Sequence, residues 1–324
     1  MKEFSFYVGI DVSKSWLDIA VLQPSMGIVE EKRIANTSHV VEDFLKGFQK
    51  ALKVDLGEVL FCLEYTGKYG NPFLEVAAIK QANVWLELPI QIKRSQGLVR
   101  GKTDRWDARR IAEYAYRFSD KAQLWKPLSK SLEQLKAYQS KRDLLVKTHT
   151  QLSQEDKNDV VFKKPLEALK KAIHEIEQKM EQLIRENHLF LRQYQLLQTV
   201  SGIGKQTAIA LIIITDGFSR LTDARKLSCF AGVAPFPYSS GSSIKGRNRV
   251  SKMGNMKLKT LLNMCAWNAI RATGDLKAYY ERKLAEGKHK LSIINAIKNK
   301  LLAIAISVIN RDTPFAKQYS VPVS

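Results

Sequence analysis

The pattern of apolar and polar positions predicts an α/β arrangement over the first hundred or so residues. Short apolar runs that stop at polar or turn residues predict strands at 4–10, 16–22, 28–34, 59–63 and 84–88. Apolar residues at three- and four-residue spacing predict helices at 41–52 and 69–82. Three early strands followed by helix, strand, helix and strand predict one mixed sheet with helices on its faces.

The middle of the chain has a helical pattern. Residues 128–188 are rich in Lys, Glu, Gln and Leu, and apolar residues from Leu166 to Leu183 follow a 3-4-3-4-3 spacing, which is a heptad seam. With an earlier helical arm at 132–152 and a polar turn at 154–159, this pattern favours a helical hairpin or a dimerising coiled coil. An amphipathic helix packed on its own domain is the alternative.

The last third is predicted to be mainly helical, with helices at 256–273, 276–284 and 291–309. The turn Gly202-Ile203-Gly204 lies between helical segments and resembles a helix-hairpin-helix turn, which directs backbone N–H groups at a phosphate. A plain interhelical turn explains it equally well. Residues 234–254, rich in Pro, Ser, Gly and Arg, are predicted to form a loop-like insert. These patterns predict domains at 1–125, 126–195 and 196–324.

Composition limits the class of protein. The 324 residues are 45% hydrophobic and 26% charged, which is typical of a folded chain. The longest apolar run, Leu301 to Ile309, is about half the length of a membrane span, and the N-terminus lacks the apolar core of a signal peptide. Three scattered cysteines exclude a disulfide framework and a structural zinc site, so a reducing cytoplasm is expected.

The charge balance points to a polyanionic partner. The chain has 52 Lys and Arg against 32 Asp and Glu, giving a net charge of +20. Such an excess causes self-repulsion unless a polyanion neutralises it, and nucleic acid does so with release of counterions. The charge therefore predicts nucleic-acid binding, with a ribosome-associated or merely basic protein as the alternative.

Carboxylates follow two of the predicted strands and open a later helix. Asp11 and Glu64 stand at strand exits, so they would meet at one edge of the sheet if those strands are parallel neighbours. Asp104 and Asp107, three residues apart, share one helical face. Converging carboxylates repel one another, and a hard cation such as Mg²⁺ relieves that repulsion. Turn capping, an exposed strand end and helix-dipole interactions are the structural alternatives for these residues taken singly.

A serine-rich stretch precedes a basic one. Residues 239–243 read SSGSS, and residues 244–254 contain several Lys and Arg. A serine beside glycine can expose its hydroxyl as a nucleophile, and the basic side chains could hold a phosphodiester for attack. A phosphate-binding loop without chemistry is the alternative. The chain has no Walker-type phosphate-binding motif, so no nucleotide cofactor is expected.

These motifs together resemble a known family. YVGIDVSK at 7–14, EYTG at 64–67 and KTDRWDA at 102–108 look like the three acidic motifs of the DEDD insertion-sequence transposases, relatives of the Piv and MooV invertases. VSGIGK at 200–205, FAGVAP at 230–235 and residues 238–254 look like the second half of that family. Trp106 and Phe236-Pro237 are less typical of it.

The resemblance implies a fold and a set of roles. It implies a RuvC-like N-terminal domain with the RNase H fold, a helical middle segment and a mainly helical C-terminal transposase domain. Asp11, Glu64, Asp104 and Asp107 would hold one or two Mg²⁺ ions, which Mn²⁺ could replace. Ser240 would be the nucleophile that forms a covalent phosphoserine link to DNA. Basic residues of the same motifs are the expected nucleic-acid contacts: Lys102, Arg105, Lys245, Arg247, Arg249 and Lys252.

The resemblance also implies partners. The family builds a composite site in which one chain's carboxylates meet another chain's serine, which implies a homodimer or homotetramer. Double-stranded donor and target DNA would be its substrates, and a structured non-coding guide RNA directs some members. A bacterial or archaeal cytoplasm is the expected location. A metal-dependent, junction-resolvase-like nuclease and a non-catalytic nucleic-acid scaffold are the alternative functions.

Overall fold

The structure is a computed structural model, and it describes residues 3–95, 104–154, 160–240, 244–250, 253–272 and 274–316. At residues 104–105, 237–240 and 244–249 it describes the backbone alone. The chain divides into two compact units, Met1–Pro127 and Leu128–Ser324. The helices predicted for 126–195 fall in the second unit, and the core of that unit includes residues from them.

The first unit is a mixed sheet covered by helices. Its strands are β1 (Phe6–Val12), β2 (Trp16–Gln23), β3 (Gly27–Ala35), β4 (Val59–Glu64) and β5 (Asn83–Glu87). Its helices are α1 (Ser38–Leu52), α2 (Asn71–Ile79), α3 (Pro89–Ser95) and α4 (Asp104–Arg117). The strand order is β3-β2-β1-β4-β5, with β2 antiparallel to β1 and β3, and with β4 parallel to β1 and β5. A mixed sheet with helices on it fits the RNase H-like domain that the resemblance implies.

The central strands β1, β2 and β4 are buried on both faces, and their alternate residues point to opposite sides of the sheet. Val59, Phe61 and Leu63 of β4 pack in one core with α1 and α2. Leu60 and Cys62 pack in the other core with α4. Burial on both faces explains why β4 is a continuous apolar run that ends only at Glu64.

The second unit is mainly helical. Its helices are α5 (Lys130–Gln154), α6 (Val160–Glu186), α7 (His188–Thr199), α8 (Lys205–Ile214), α9 (Ala224–Phe230), α10 (Met256–Arg271), α11 (Asp275–Ala285) and α12 (Lys290–Arg311). Its strands are β6 (Pro235–Ser240) and β7 (Ile244–Val250). α5 and α6 pack against each other within the chain, and Arg142 donates to Glu177 across them at 2.6 Å. Pairing of these helices between two chains remains a prediction.

The prediction of a loop-like insert at 234–254 is wrong for most of that range. β6 and β7 form an antiparallel hairpin there, in which Ser240 is opposite Ile244 and Pro235 is opposite Val250. The pairing shifts register between Phe236 and Tyr238, at Pro237. A proline lacks the N–H that a regular ladder requires, and an irregularity accommodates it.

Among the described helices, α12 has the length and hydropathy of a membrane span. It has 22 residues, its most apolar 18-residue window has a mean hydropathy of 1.5, and half of that window is buried. Core helices of soluble proteins share these properties. Ile297, Leu301 and Ala305 of α12 are completely buried in the core of the second unit.

Candidate active site

Asp11 and Glu64 lie side by side at one end of the sheet. β1 and β4 are parallel neighbours, which is the condition for these two acids to meet. The last paired residues of the two strands are Ile10 and Leu63. Asp11 and Glu64 each follow one residue later, on strands about 4.8 Å apart. Both side chains are half-buried. Ser13 closes the turn into β2, because its hydroxyl donates to the Trp16 carbonyl oxygen at 2.9 Å.

Helix α4 lies directly on β1 and runs antiparallel to it. The rings of Tyr7 and Tyr116 are in contact, with centroids 5.2 Å apart. Two residues later on β1, Gly9 faces Ala108 and Ala112 of α4. Moving along β1 from Tyr7 to Gly9 therefore means moving along α4 toward its N-terminus. Two strand residues span about 6.8 Å and four helical residues about 6 Å, so the two contacts agree with one register.

The same register brings the first turn of α4 to the end of β1. Asp11 lies two residues beyond Gly9 along β1. At the same register, the part of α4 level with Asp11 is residues 104–108. Asp104 and Asp107 extend the stripe of buried residues formed by Ala108, Ile111 and Ala115. The side chain of Asp107 is 25% exposed and accepts a bond from Arg110 at 3.1 Å. For Asp104 the backbone position alone is described.

The donor chemistry of these residues suits a hard cation. Four carboxylates supply only oxygen atoms, which are the ligands that Mg²⁺ prefers. Within the described side chains, which exclude that of Asp104, no cluster of three or more His, Cys, Asp or Glu has metal-ligand geometry. Asp11, Glu64 and Asp107 are all described, so the structure brings Asp11 and Glu64 to neighbouring strand ends without closing a three-carboxylate cluster with Asp107.

Two further acids share this end of the sheet, and the sequence analysis missed both. Asp18 is opposite Asp11, and Glu87 is opposite Glu64. Asp18 is buried and accepts two bonds from Arg33, each 2.9 Å long. Glu87 accepts bonds from the Tyr114 hydroxyl at 3.1 Å and from the Leu88 backbone at 2.6 Å. Their sequence signal is weak, because Asp18 lies inside β2 and not at its end, and Glu87 is distant in sequence from its partner strand β4.

The acidic side chains at this end of the sheet affect the pKa values of two neighbouring groups. Burial raises the pKa of the Cys62 thiol well above its usual range, and the carboxylates of Glu87 and Glu64 raise it further. Burial also raises the pKa of the Tyr114 hydroxyl, with a further contribution from Glu87. Both groups are therefore neutral at physiological pH, and Tyr114 remains a hydrogen-bond donor to Glu87.

The serine and its basic neighbours lie on the β6–β7 hairpin of the second unit. Ser240 is the last residue of β6. Lys245, Arg247 and Arg249 lie on β7, where the register shift leaves Lys245 opposite Ser239 and Arg249 opposite Phe236. Arg105 lies in the first turn of α4. Lys102 and Lys252 lie outside the described residues. The carboxylates and the serine thus belong to different units of the chain.

Comparison with known proteins connects both units to transposition. The DEDD transposase family model of IS110 elements matches residues 8–158, and the model described as the transposase IS116/IS110/IS902 family matches residues 194–281. The pilin gene-inverting protein of Moraxella lacunata is 27% identical over 96% of this chain and 98% of its own length. The insertion element IS110 protein of Streptomyces coelicolor is 26% identical over 36% of this chain and 29% of its own length.

A solved structure of Thermus thermophilus RuvC in complex with a Holliday junction substrate resembles 36% of this chain, over 98% of its own length, at 11% identity and a TM-score of 0.28. The family assignment rests instead on the two sequence models, which match in order along most of the chain. The full-length similarity to the Moraxella pilin gene-inverting proteins agrees with them. The chain therefore belongs to the IS110 family of DEDD transposases.

Proposed function

We propose that this protein cleaves and rejoins DNA through a covalent phosphoserine intermediate, with Ser240 as the nucleophile and metal ions held by Asp11, Glu64, Asp104 and Asp107. The observation that carries the proposal is the register of β1, β4 and α4. It brings Asp11, Glu64 and the first turn of α4 to one end of the sheet. Convergence of acids from three separate segments is expected of a metal-assisted phosphoryl-transfer site.

The proposed reaction conserves the energy of the phosphodiester. The Ser240 hydroxyl loses its proton, its oxygen bonds to phosphorus, and one deoxyribose oxygen leaves and takes up a proton. A deoxyribose hydroxyl of the other DNA end then displaces Ser240 and restores a phosphodiester, so no ATP is consumed. Bound Mg²⁺ or Mn²⁺ supplies charge stabilisation at the attacking and leaving oxygens.

The remaining predicted residues act on the DNA backbone in this proposal. Lys245, Arg247 and Arg249 lie on the strand that pairs with the strand of Ser240, where they neutralise phosphates beside the attacked bond. Lys102, Arg105 and Lys252 do so next to the acidic motif and the hairpin. The net charge of +20 is larger than one short contact with a DNA backbone would neutralise. Two DNA duplexes, and a structured guide RNA, are the partners that it suits.

We further propose a composite site. The carboxylates belong to the unit 1–127 and Ser240 belongs to the unit 128–324. A serine from one copy could therefore act beside the carboxylates of another, in a dimer or tetramer that works in a bacterial or archaeal cytoplasm. Mixing a Ser240→Ala chain with an Asp11→Asn chain tests this arrangement. Partial recovery of recombination, with neither variant active alone, supports it, and no recovery contradicts it.

The covalent step is tested by trapping the protein on DNA. The full chain is incubated with donor DNA and Mg²⁺, with any required guide RNA expressed from the flanks of the element, and denatured adducts are separated by electrophoresis. Wild type and Ser239→Ala should form the adduct, and Ser240→Ala should lose it. Asp11→Asn and Asp107→Asn should also lose it, whereas Glu113→Gln, at an exposed carboxylate of the same helix, should retain it.

The same assay separates this function from the nuclease alternative. A nuclease would use metal-activated water, so Ser240→Ala would still cut DNA and the wild type would form no adduct. Cleavage without an adduct would therefore refute the phosphoserine mechanism. Full recombination by Asp11→Asn would instead support a non-catalytic scaffold.

A further inference from the structure

Two exposed tryptophans lie at the acidic end of the sheet. Trp16, the first residue of β2, is 49% exposed, and Trp106, in the first turn of α4, is 55% exposed. A single exposed aromatic side chain is ordinary, but exposed apolar side chains grouped beside a functional site indicate a binding surface. Trp106 also stands between the two acids of its motif, Asp104 and Asp107.

Trp16 faces the same side of the sheet as α4. Along β2, Ala20 and Leu22 pack in the core beneath α4, whereas Leu17 and Ile19 pack in the opposite core. Side chains alternate between the two faces of a strand, so Trp16 and Asp18 lie on the α4 side.

Trp106 lies on the same side and at nearly the same level. Arg109 is fixed to β3 by two bonds of 2.5 Å to Glu31, which is opposite Ala20 of β2. α4 runs antiparallel to β1 and therefore parallel to β2. Trp106 lies one helical turn before Arg109, in the direction of the N-terminus of α4. It is therefore level with Asp18 of β2 and Arg33 of β3, which are the next pair on that face of the sheet. Trp16 lies two residues beyond Asp18 in the same direction.

Two guanidinium groups beside the rings are planar and charge-compensated. The guanidinium of Arg109 stacks on Trp106, 5.2 Å from the ring centroid, while it is paired with Glu31. The guanidinium of Arg33 is paired with the buried carboxylate of Asp18. The tryptophan strip, which consists of Trp16, Arg33, Trp106 and Arg109, therefore combines two exposed rings with two neutralised guanidinium groups beside the proposed catalytic acids.

We propose that the tryptophan strip stacks unpaired bases of the DNA strand that is cut, next to the phosphate held by the carboxylates. Strand exchange requires bases to leave one duplex, and an aromatic ring stacks any base through its π face. Nucleic acid is the occupant favoured here, because the strip continues the proposed active site and the chain carries +20 charges. The inference rests on the proposed function, to which it adds two positioning residues.

The test measures base stacking without cleavage. The full chain carrying Asp11→Asn is titrated with a single-stranded oligothymidylate that contains one 2-aminopurine, and with the same strand in a duplex. Stacking on Trp16 or Trp106 quenches 2-aminopurine fluorescence. Trp16→Ala and Trp106→Ala should each weaken single-strand binding about tenfold and reduce the quenching. Duplex binding should change much less, and Trp106→Phe should restore most of the effect.

Tyr116→Ala is the matched control, because Tyr116 is 43% exposed at the opposite end of α4. It should leave binding and quenching unchanged. Persistent quenching in the Trp16→Ala/Trp106→Ala double variant, with its thermal unfolding unaltered, would overturn the inference. So would a change in sedimentation of the free protein with unchanged quenching, because the strip would then be a contact between copies. Adduct formation at Ser240 is scored separately, so either proposal can fail alone.

Discussion

Gly9 of β1 and Ala108 of α4 are in backbone contact. A Cβ atom built on Gly9 would lie 2.2 Å from the carbonyl oxygen of Ala108 and 2.2 Å from the backbone nitrogen of Ala112. No side chain fits between this strand and this helix. The contact fixes the register of α4 along β1, and it thereby sets the distance from Asp11 to Asp107.

Replacement of Gly9 by alanine should therefore affect both stability and activity. We expect Gly9→Ala to lower the free energy of unfolding by about 3 kcal/mol or more, because α4 must move off the sheet. Gly47→Ala is the control, since no heavy atom lies within 4 Å of a Cβ on this helical glycine. It should be neutral or stabilising by up to about 1 kcal/mol. Urea denaturation of both variants checks this, and equal stabilities would contradict the register.

The turn between α7 and α8 offers a second pair of glycines. Gly202 has φ +93°, and a Cβ there would lie 2.4 Å from the Cys265 carbonyl oxygen, so Gly202→Ala should destabilise the chain by about 3 kcal/mol. A Cβ on Gly204 meets nothing within 4 Å, so Gly204→Ala should keep its stability. If Gly204→Ala binds DNA more weakly, the turn contacts phosphate. Unchanged binding identifies it as an interhelical turn.

Lys298 of α12 gives a pH-dependent prediction. Burial, followed by the charge of Lys259, lowers the pKa of Lys298 below its ordinary 10.5. The folded chain therefore binds fewer protons than the unfolded chain between the lowered pKa and 10.5, and this group adds stability as the pH rises through that range. Lys298→Met should be about 1 kcal/mol more stable at neutral pH and lack that gain. Parallel pH profiles for wild type and Lys298→Met would contradict this, with the exposed Lys290→Met as control.

The basic residues of β7 give a prediction about the salt dependence of DNA binding. If Lys245, Arg247 and Arg249 contact phosphates, each neutral substitution should reduce the slope of log binding constant against log salt by about one. Fluorescence anisotropy with duplex DNA at several salt concentrations measures that slope. Lys50→Gln, at an exposed lysine of α1, should leave it unchanged. An unaltered slope for Arg247→Gln would exclude a phosphate contact there.

Much of the fold is predictable because its signals are local. The buried strand predicted at 59–63 is Val59–Glu64, and the strand predicted at 84–88 is Asn83–Glu87. Apolar runs that end at a charged or turn residue are encoded within a few positions. The same pattern predicted that Asp11 and Glu64 stand at strand exits and would meet if those strands were parallel neighbours, which β1 and β4 are.

Other features depend on the pairing of strands or on the packing of a helix against a strand, which hydrophobic periodicity does not reveal. The β6–β7 hairpin was missed because Pro235, Pro237 and the Ser/Gly tip suppress strand propensity, while pairing across the hairpin stabilises it. Asp18 and Glu87 join the acidic end only through pairing with β1 and β4. The register of α4 depends on the missing side chain of Gly9, which no periodicity along the helix reveals.

Manganese binding tests the central claim most directly, namely that acids from β1, β4 and α4 form one site. Electron paramagnetic resonance of the full chain titrated with Mn²⁺ should show binding that Asp11→Asn, Glu64→Gln and Asp107→Asn each weaken at least about tenfold. Glu113→Gln should bind as the wild type does. Wild-type affinity in Asp107→Asn would contradict the account, because the helix would then contribute no carboxylate to the ion.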